Sequence, residues 1–563
     1  MLKLKKALLC LLSILMISFI FIYRNTERKT ESKKSQLRTG FYPPPYENLR
    51  PPPQSTKDSD GFGENGVPVN ISYDNMTSHE RIEYDEGRKI VYLNVFASDR
   101  ISVRRYLGDK RSPECQAPKT YSNLPKTSVI IIFNNEIYSL LLRTVHSILD
   151  RSDPDLLEEI ILVDDASDSD YINGRLQDYL SYLPKVHLVR LTERAGIAKA
   201  RVAGAHVAKA ETLTFLDSHM EVLPGWLEPL LEQLQKDPKS LAEPVHVGIS
   251  SEDFRLDDQE HPKSFIGGFT WNLEFFWTYS PMKFSDRPGA PFSPVVDPAL
   301  VGGMFMIGKE FFKTLGYYDP NSGLYGSEHI ELSLKAWLCH GSIYKVYCSW
   351  VGHVFHNRVK SYKQLNSGWM KKARDRIAYV WLGEYRKYYE EFAGPIFEDL
   401  GDISAQVEVR DKNKCHDFQW FLDNIYVDIY NPKIAILRGQ IRNPKSNMCM
   451  NSYIKAEICE KTRLNEKQDI IRGSLVWFLT QEHYIRSEFS CGHVLTTQKP
   501  FLMEGINCNY LDMIDPVTYD QNKSKQIQTK HGCLELDIKT QEIHVNPCQA
   551  GNEYQMWEWQ FLK

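Results

Sequence analysis

Between residues 128 and 234 apolar strands alternate with helical segments, and that alternation narrows the fold more than any other feature of the chain. SVIIIF (128–133) has the β-branched, apolar make-up of a buried strand. Residues 139–149 then space their apolar side chains as a helix does. EEIILVDD (158–165) and VHLVRL (186–191) are the next two strands. An Ala-rich helix over 196–210 leads into a fourth strand at 212–216, and 226–234 is helical again. This order builds βαβ units around a mostly parallel sheet, an α/β fold. No G-x-G-x-x-G or G-x-x-x-x-G-K-[ST] follows the first strand, so the dinucleotide and P-loop classes lose their main signal.

Two of these strands end in acids. The fourth runs into Asp217-Ser218-His219. Residues i and i+2 of a strand face one side, so Asp217 and His219 project together from its carboxyl end. In open α/β sheets ligands bind at that edge. A carboxylate beside an imidazole suits a divalent ion such as Mn²⁺. Three residues alone are better explained as a polar strand end. The second strand, however, ends in Asp164-Asp165. Two acid-tipped strands match the needs of a nucleotide-diphosphate-sugar site: one acid for the nucleoside, and a metal to neutralise the departing pyrophosphate. Arg194 precedes a Gly and a helix N-terminus, where phosphate is readily held.

At 563 residues the chain is too long for one core. A net charge of −4, with Lys and Arg scattered, gives no electrostatic case for nucleic acid. Residues 7–23 are an unbroken apolar run flanked by Lys3, Lys5, Lys6 and Arg24. A cleaved signal peptide competes with a membrane anchor here, but no small-residue cleavage site follows the run. The anchor reading leaves residues 1–6 cytoplasmic and the body lumenal. Residues 24–123 are polar and Pro-interrupted, which predicts an extended stem. Outside the apolar run lie ten cysteines, an even set that suggests disulfides in an oxidising compartment. Three N-x-[ST] sequons begin at Asn70, Asn75 and Asn522.

From about residue 124 to the C-terminus the chain resembles the polypeptide N-acetylgalactosaminyltransferases. TSVIIIFNNE (127–136), EEIILVDDAS (158–167), TFLDSH (214–219), VGGMFMI (301–307), VGHVF (351–355) and FQWFLDNIY (418–426) carry the resemblance in order. It implies Golgi type II membrane enzymes with a GT-A (Rossmann-like) catalytic domain, here over 124–234 and 294–357. It implies Mn²⁺ held by Asp217, His219 and His353, and retaining transfer of GalNAc from UDP-GalNAc to Ser or Thr of polypeptides. It places Asp165, Arg194, Ser218, Tyr325, His356 and Tyr362 at the substrates and Glu328 as the catalytic acidic residue. His353 owes its assignment to the resemblance alone, since a lone His in a strand is more often structural. Trp271, Trp277 and Trp350 are expected in the core.

Several motif positions differ from the family pattern. W-G-G-E-N is Tyr325-Gly326-Ser327-Glu328-His329, the Arg after VGHVF is His356, and the H-P-Y-x-F-P-G-G loop is VKSYKQLNSG (359–368). S-P-I-I-D is Glu243-Pro244-Val245-His246-Val247. His356 donates one hydrogen bond where Arg offers a charged fork. These changes support a second expectation, a weak or inactive relative that binds peptides or partner enzymes. Residues 358–430 form a linker with helical segments. Residues 434–563 are expected to be all-β, with cysteine pairs 449/459, 491/508 and 533/548 marking an internal three-fold repeat. This unit resembles the ricin-type β-trefoil lectin of the same family. Cys533-Leu534-Glu535 and Gln555-Met556-Trp557 match its C-L-D and Q-x-W motifs, but no repeat keeps the sugar-binding Asp. The resemblance therefore carries the fold and leaves glycan binding in doubt. It also implies the pairs Cys115–Cys348 and Cys339–Cys415.

Overall fold

A computed structural model describes residues 50–168, 174–257, 265–279, 292–355, 367–427, 429–451, 454–459, 475–488, 490–497, 499–508 and 514–560. The apolar run at 7–23, His356 and Tyr362 lie outside the described residues. Among the described residues no helix is long and apolar enough to cross a membrane.

The expected strands form one mixed sheet. β1 (Thr127–Phe133), β2 (Leu157–Asp164), β3 (Val186–Arg190) and β4 (Thr212–Asp217) run parallel. Their period of two shows in the packing. Val129, Ile131 and Phe133 of β1 join one apolar cluster, while Ile130 and Ile132 join the other. Each face of the sheet thus carries its own core, the arrangement a doubly covered α/β sheet requires. β5 (Met220–Val222) follows β4 after a short turn, and β6 (Ser240–Ile249) lies two strands away from β4. A two-stranded ribbon, β7 (Phe265–Phe269) and β8 (Phe275–Tyr279), and a short β9 (Val295–Val296) precede β10 (Met304–Gly308), which inserts antiparallel between β4 and β6. β11 (Ser342–Val354) pairs parallel with β6 and antiparallel with β5. The interval between the two expected catalytic segments is therefore not a spacer. β6, inside it, joins them into one sheet.

The expected stem is folded over much of its length. A helix spans Ser78–Val91, started by a capping box in which Thr77 and Glu80 satisfy each other's backbone N–H groups. Val69, Leu93, Ala97, Ile101 and Leu107 share a core with Val245, Val247 and Trp350. The stem's apolar residues crowd into 90–103 (IVYLNVFASDRISV), and the partners that bury them, Val245, Val247 and Trp350, are distant in the chain. Trp271 and Trp350 are buried as expected, but Trp277 is 41% exposed. It sits on the two-stranded ribbon, where His246 and Lys345 cover only part of it.

The C-terminal unit is the β-trefoil, and all five disulfides join the expected partners, Cys115–Cys348 and Cys339–Cys415 included. Trefoil and catalytic unit meet at Glu488, whose carboxylate accepts the backbone N–H of Trp271. Burial pushes Glu488 up to about 8; the Trp271 bond opposes this, Glu274 adds to it, and Arg486 opposes it. Glu488 thus binds its proton more tightly in the folded chain than in the unfolded one. Its contribution is complete below the ordinary carboxylate range and is lost as pH rises through about 8. We expect the melting temperature to fall across that window and Glu488→Gln to flatten the fall. Thermal scans of both proteins against pH check this, and parallel slopes would refute it.

Candidate metal and nucleotide-sugar site

The site is a cleft of about 410 Å³ at the carboxyl ends of β1, β2 and β4. Register puts Asp217 beside Ile132 and Asp164 beside Phe133, so three strand ends open at one level. Asp217 is the last residue of β4, while His219, expected on the same strand, stands in the two-residue turn that leads into β5. His353 arrives from β11, where it pairs with Met220. One ligand atom from each of Asp217, His219 and His353 lies within 4.8 Å of the others.

Burial disfavours the Asp217 carboxylate, but His353, 3.7 Å away, and the charges of Arg201 and His219 outweigh it and hold its pKa low. Burial depresses His353, against the pull of the nearby Asp217 carboxylate. An ionised acid and a neutral imidazole are the forms that ligate metal. Glu136 completes the arrangement. Its Oε2 accepts from His219 Nδ1 at 2.9 Å and from Ser218 Oγ at 2.7 Å. The ring is thereby held with Nε2 free of that contact, as in carboxylate–histidine–metal sites. One carboxylate and two imidazoles, one braced from behind, fit Mn²⁺. Glu136→Gln is expected to weaken Mn²⁺ binding about 10–100-fold, measured by calorimetric titration with the melting temperature as a folding control.

Asp165 is buried and accepts from Arg194 Nη1 at 2.5 Å, Ala195 N at 2.6 Å and Gly196 N at 3.0 Å. Gly196 has φ of +87°, and a Cβ there would stand 2.5 Å from the Leu324 Cα. Only glycine lets this turn meet the 323–326 segment, where Ile197 N donates to Leu324 O. Glu328 opens the helix Glu328–Leu338. Burial opposes its ionisation, but His329 and Arg201 bring its pKa down to about 2. It is therefore a fixed negative charge in the cleft. Tyr325 lines the same wall, and Ser327 occupies the left-handed region at φ of +66° where the family motif has Gly.

Arg201 was not singled out in the sequence. It is buried, donates to Gly302 O at 2.6 Å and lies 3.5 Å from Asp217 Oδ1. Its only signal was an Arg within an Ala-rich helix. Glu136 was equally silent, an acid three residues past a strand end.

The strand-and-helix region matches the family Glycosyl transferase family 2 over residues 128–316. Fold and site thus define a glycosyltransferase of the GT-A class. Polypeptide N-acetylgalactosaminyltransferase 5 of Caenorhabditis elegans is 35% identical over 88% of this chain and 79% of its own length. Human polypeptide N-acetylgalactosaminyltransferase 13 is 35% identical, covering 80% of each chain. The crystal structure of GalNAc-T7 with UDP, GalNAc and Mn²⁺ aligns with a TM-score of 0.66 at 25% identity, over 92% of this chain and 95% of that one. The chain belongs to the polypeptide N-acetylgalactosaminyltransferase family.

Proposed function

We propose that the chain transfers GalNAc from UDP-GalNAc to Ser or Thr of polypeptides with retention at the anomeric carbon. The observation that carries this reading is the convergence of Asp217, His219 and His353 beside the Asp165–Arg194 pair. Bound Mn²⁺ would supply Lewis-acid neutralisation of the diphosphate. Asp165 and Arg194 are assigned to the nucleotide, Ser218 and Tyr325 to the floor and wall of the donor site, and Glu328 to the sugar side as an ionised carboxylate. His356 and Tyr362 are assigned to the diphosphate and the covering loop from the sequence alone. Residues 7–23 are assigned as a single-pass type II anchor in the Golgi, with the catalytic and trefoil domains lumenal. The trefoil is read as a structural domain. In its third repeat Glu535 replaces the C-L-D acid, and its Oε2 accepts from Gln555 at 2.8 Å.

UDP release tests this function. It should require a Ser/Thr peptide and Mn²⁺ and stop with EDTA. A second reading, a peptide-binding relative without turnover, is favoured by Tyr325 and by Ser327 strained where the motif has Gly. Donor binding without peptide-dependent UDP release would establish it instead.

A further inference from the structure

The mixed sheet carries a charge pair in its interior. Register sets Lys345 of β11 beside Glu243 of β6, and Lys345 Nζ lies 2.5 Å from Glu243 Oε2. Both side chains are almost wholly inaccessible, as is Asp297, 3.5 Å from the same Nζ. Burial opposes the Lys345 charge, but Glu243 and Asp297 outweigh it and hold its pKa above the ordinary lysine value. Burial pushes Asp297 well above the usual carboxylate range; Lys345 opposes this and Glu243 adds to it. The charged pair is therefore Lys345 with Glu243.

Such a pair adds little net stability over apolar residues of the same volume, because each ion loses its water. What it allows is a strong acceptor inside the sheet, and Glu243 has a second oxygen outside the pair. Its Oε1 accepts from Val301 N at 2.7 Å. Residues 301–303 line the metal cleft. Gly302 O accepts from Arg201 at 2.6 Å, and Gly303 O accepts from Asp217 N at 3.0 Å. A Cβ on Gly303 would stand 3.0 Å from Asp217 Oδ2, so this backbone lies against the ligating carboxylate. At the Glu243 position the family motif S-P-I-I-D has Ser, which is shorter and neutral and offers Val301 N no charged acceptor.

We propose that Glu243 is a positioning residue for the metal cleft. Its Oε1 fixes the 301–303 wall through Val301 N, and that wall fixes the Asp217 backbone and the Arg201 guanidinium. Lys345 is the counter-ion that lets the acceptor stand in the interior. The inference rests on the metal reading of the cleft and deepens it by naming what holds the ligating carboxylate in place.

Calorimetric Mn²⁺ titration of the full chain tests this with two double variants of equal charge. Lys345→Met with Glu243→Gln removes both charges but leaves an oxygen for Val301 N. Lys345→Met with Glu243→Met removes both charges and the oxygen at similar volume. The Gln variant should keep an Mn²⁺ affinity close to that of the unsubstituted chain. The Met variant should bind about tenfold more weakly, the low end for losing a group that orients a ligand. Glu243→Ser in place of Glu243→Met should lose as much, which keeps the test open if the Met variant does not fold. Melting temperatures record the folding of each protein. Equal Mn²⁺ affinity in the Gln and Met variants would overturn the proposal even if their melting temperatures differ, since a merely structural Glu243 would move only the latter. Absence of Mn²⁺ binding by the unsubstituted chain would overturn the metal reading itself.

Discussion

Asp217→Ala should lower UDP-GalNAc turnover by about 10³-fold, the scale of roughly 4 kcal/mol of lost charge stabilisation. Asp217 is the only carboxylate of the triad, and Mn²⁺ favours oxygen ligands. The remaining His219 and His353 form a poor site for a hard cation. The fold should survive. Arg201 lies 3.5 Å from Asp217 but also donates to Gly302 O and to the Tyr318 hydroxyl, so its charge keeps partners. Calorimetric Mn²⁺ titration, UDP release and a melting curve on the same preparation check the prediction. Retained Mn²⁺ affinity would show that the metal sits elsewhere.

Arg105→Ala should destabilise the chain by about 3–5 kcal/mol, the cost of breaking a fully buried ion pair. Arg105 Nε and Nη2 each donate to Glu221 at 2.8 Å, and Nη1 bonds Gly63 O and Phe254 O. Both side chains are almost wholly inaccessible. Arg143 is also within 3.3 Å of Glu221, so one partner remains. Burial works against the Glu221 charge, and the arginines keep it ionised. Glu221 follows His219 by two residues on β5, so its loss of anchorage should weaken the metal site as well. Denaturant unfolding measures the stability, and Mn²⁺ titration measures the coupling. A loss under about 1 kcal/mol would mean Arg143 alone suffices.

Arg105 also shows why part of the fold was hidden in the sequence. It lies in a polar stretch without periodicity, and its role depends on Glu221, 116 residues away. The strands were legible because β1, β2 and β4 are apolar on both faces, as buried parallel strands must be. Asp217 and His219 were legible as polar residues closing an apolar strand, although His219 sits in the turn beyond β4 rather than on it. His353 needed the family resemblance, because its place beside Met220 comes from an antiparallel pairing that no local pattern announces. Glu136 and Arg201 act through tertiary neighbours. Trp277 was misplaced for a related reason: composition suggests burial, but a two-stranded ribbon buries only what another layer covers.

The central claim is that the Asp217–His219–His353 cleft still performs transfer despite Tyr325, Ser327 and His356. Incubating the purified chain with UDP-GalNAc, Mn²⁺ and Thr peptides, then weighing the peptides by mass spectrometry, tests it most directly. The account predicts a gain of one N-acetylhexosamine on a Thr peptide, α-linked by NMR and absent with Asp217→Ala. Peptides of unchanged mass beside a chain that binds both Mn²⁺ and UDP-GalNAc would contradict it.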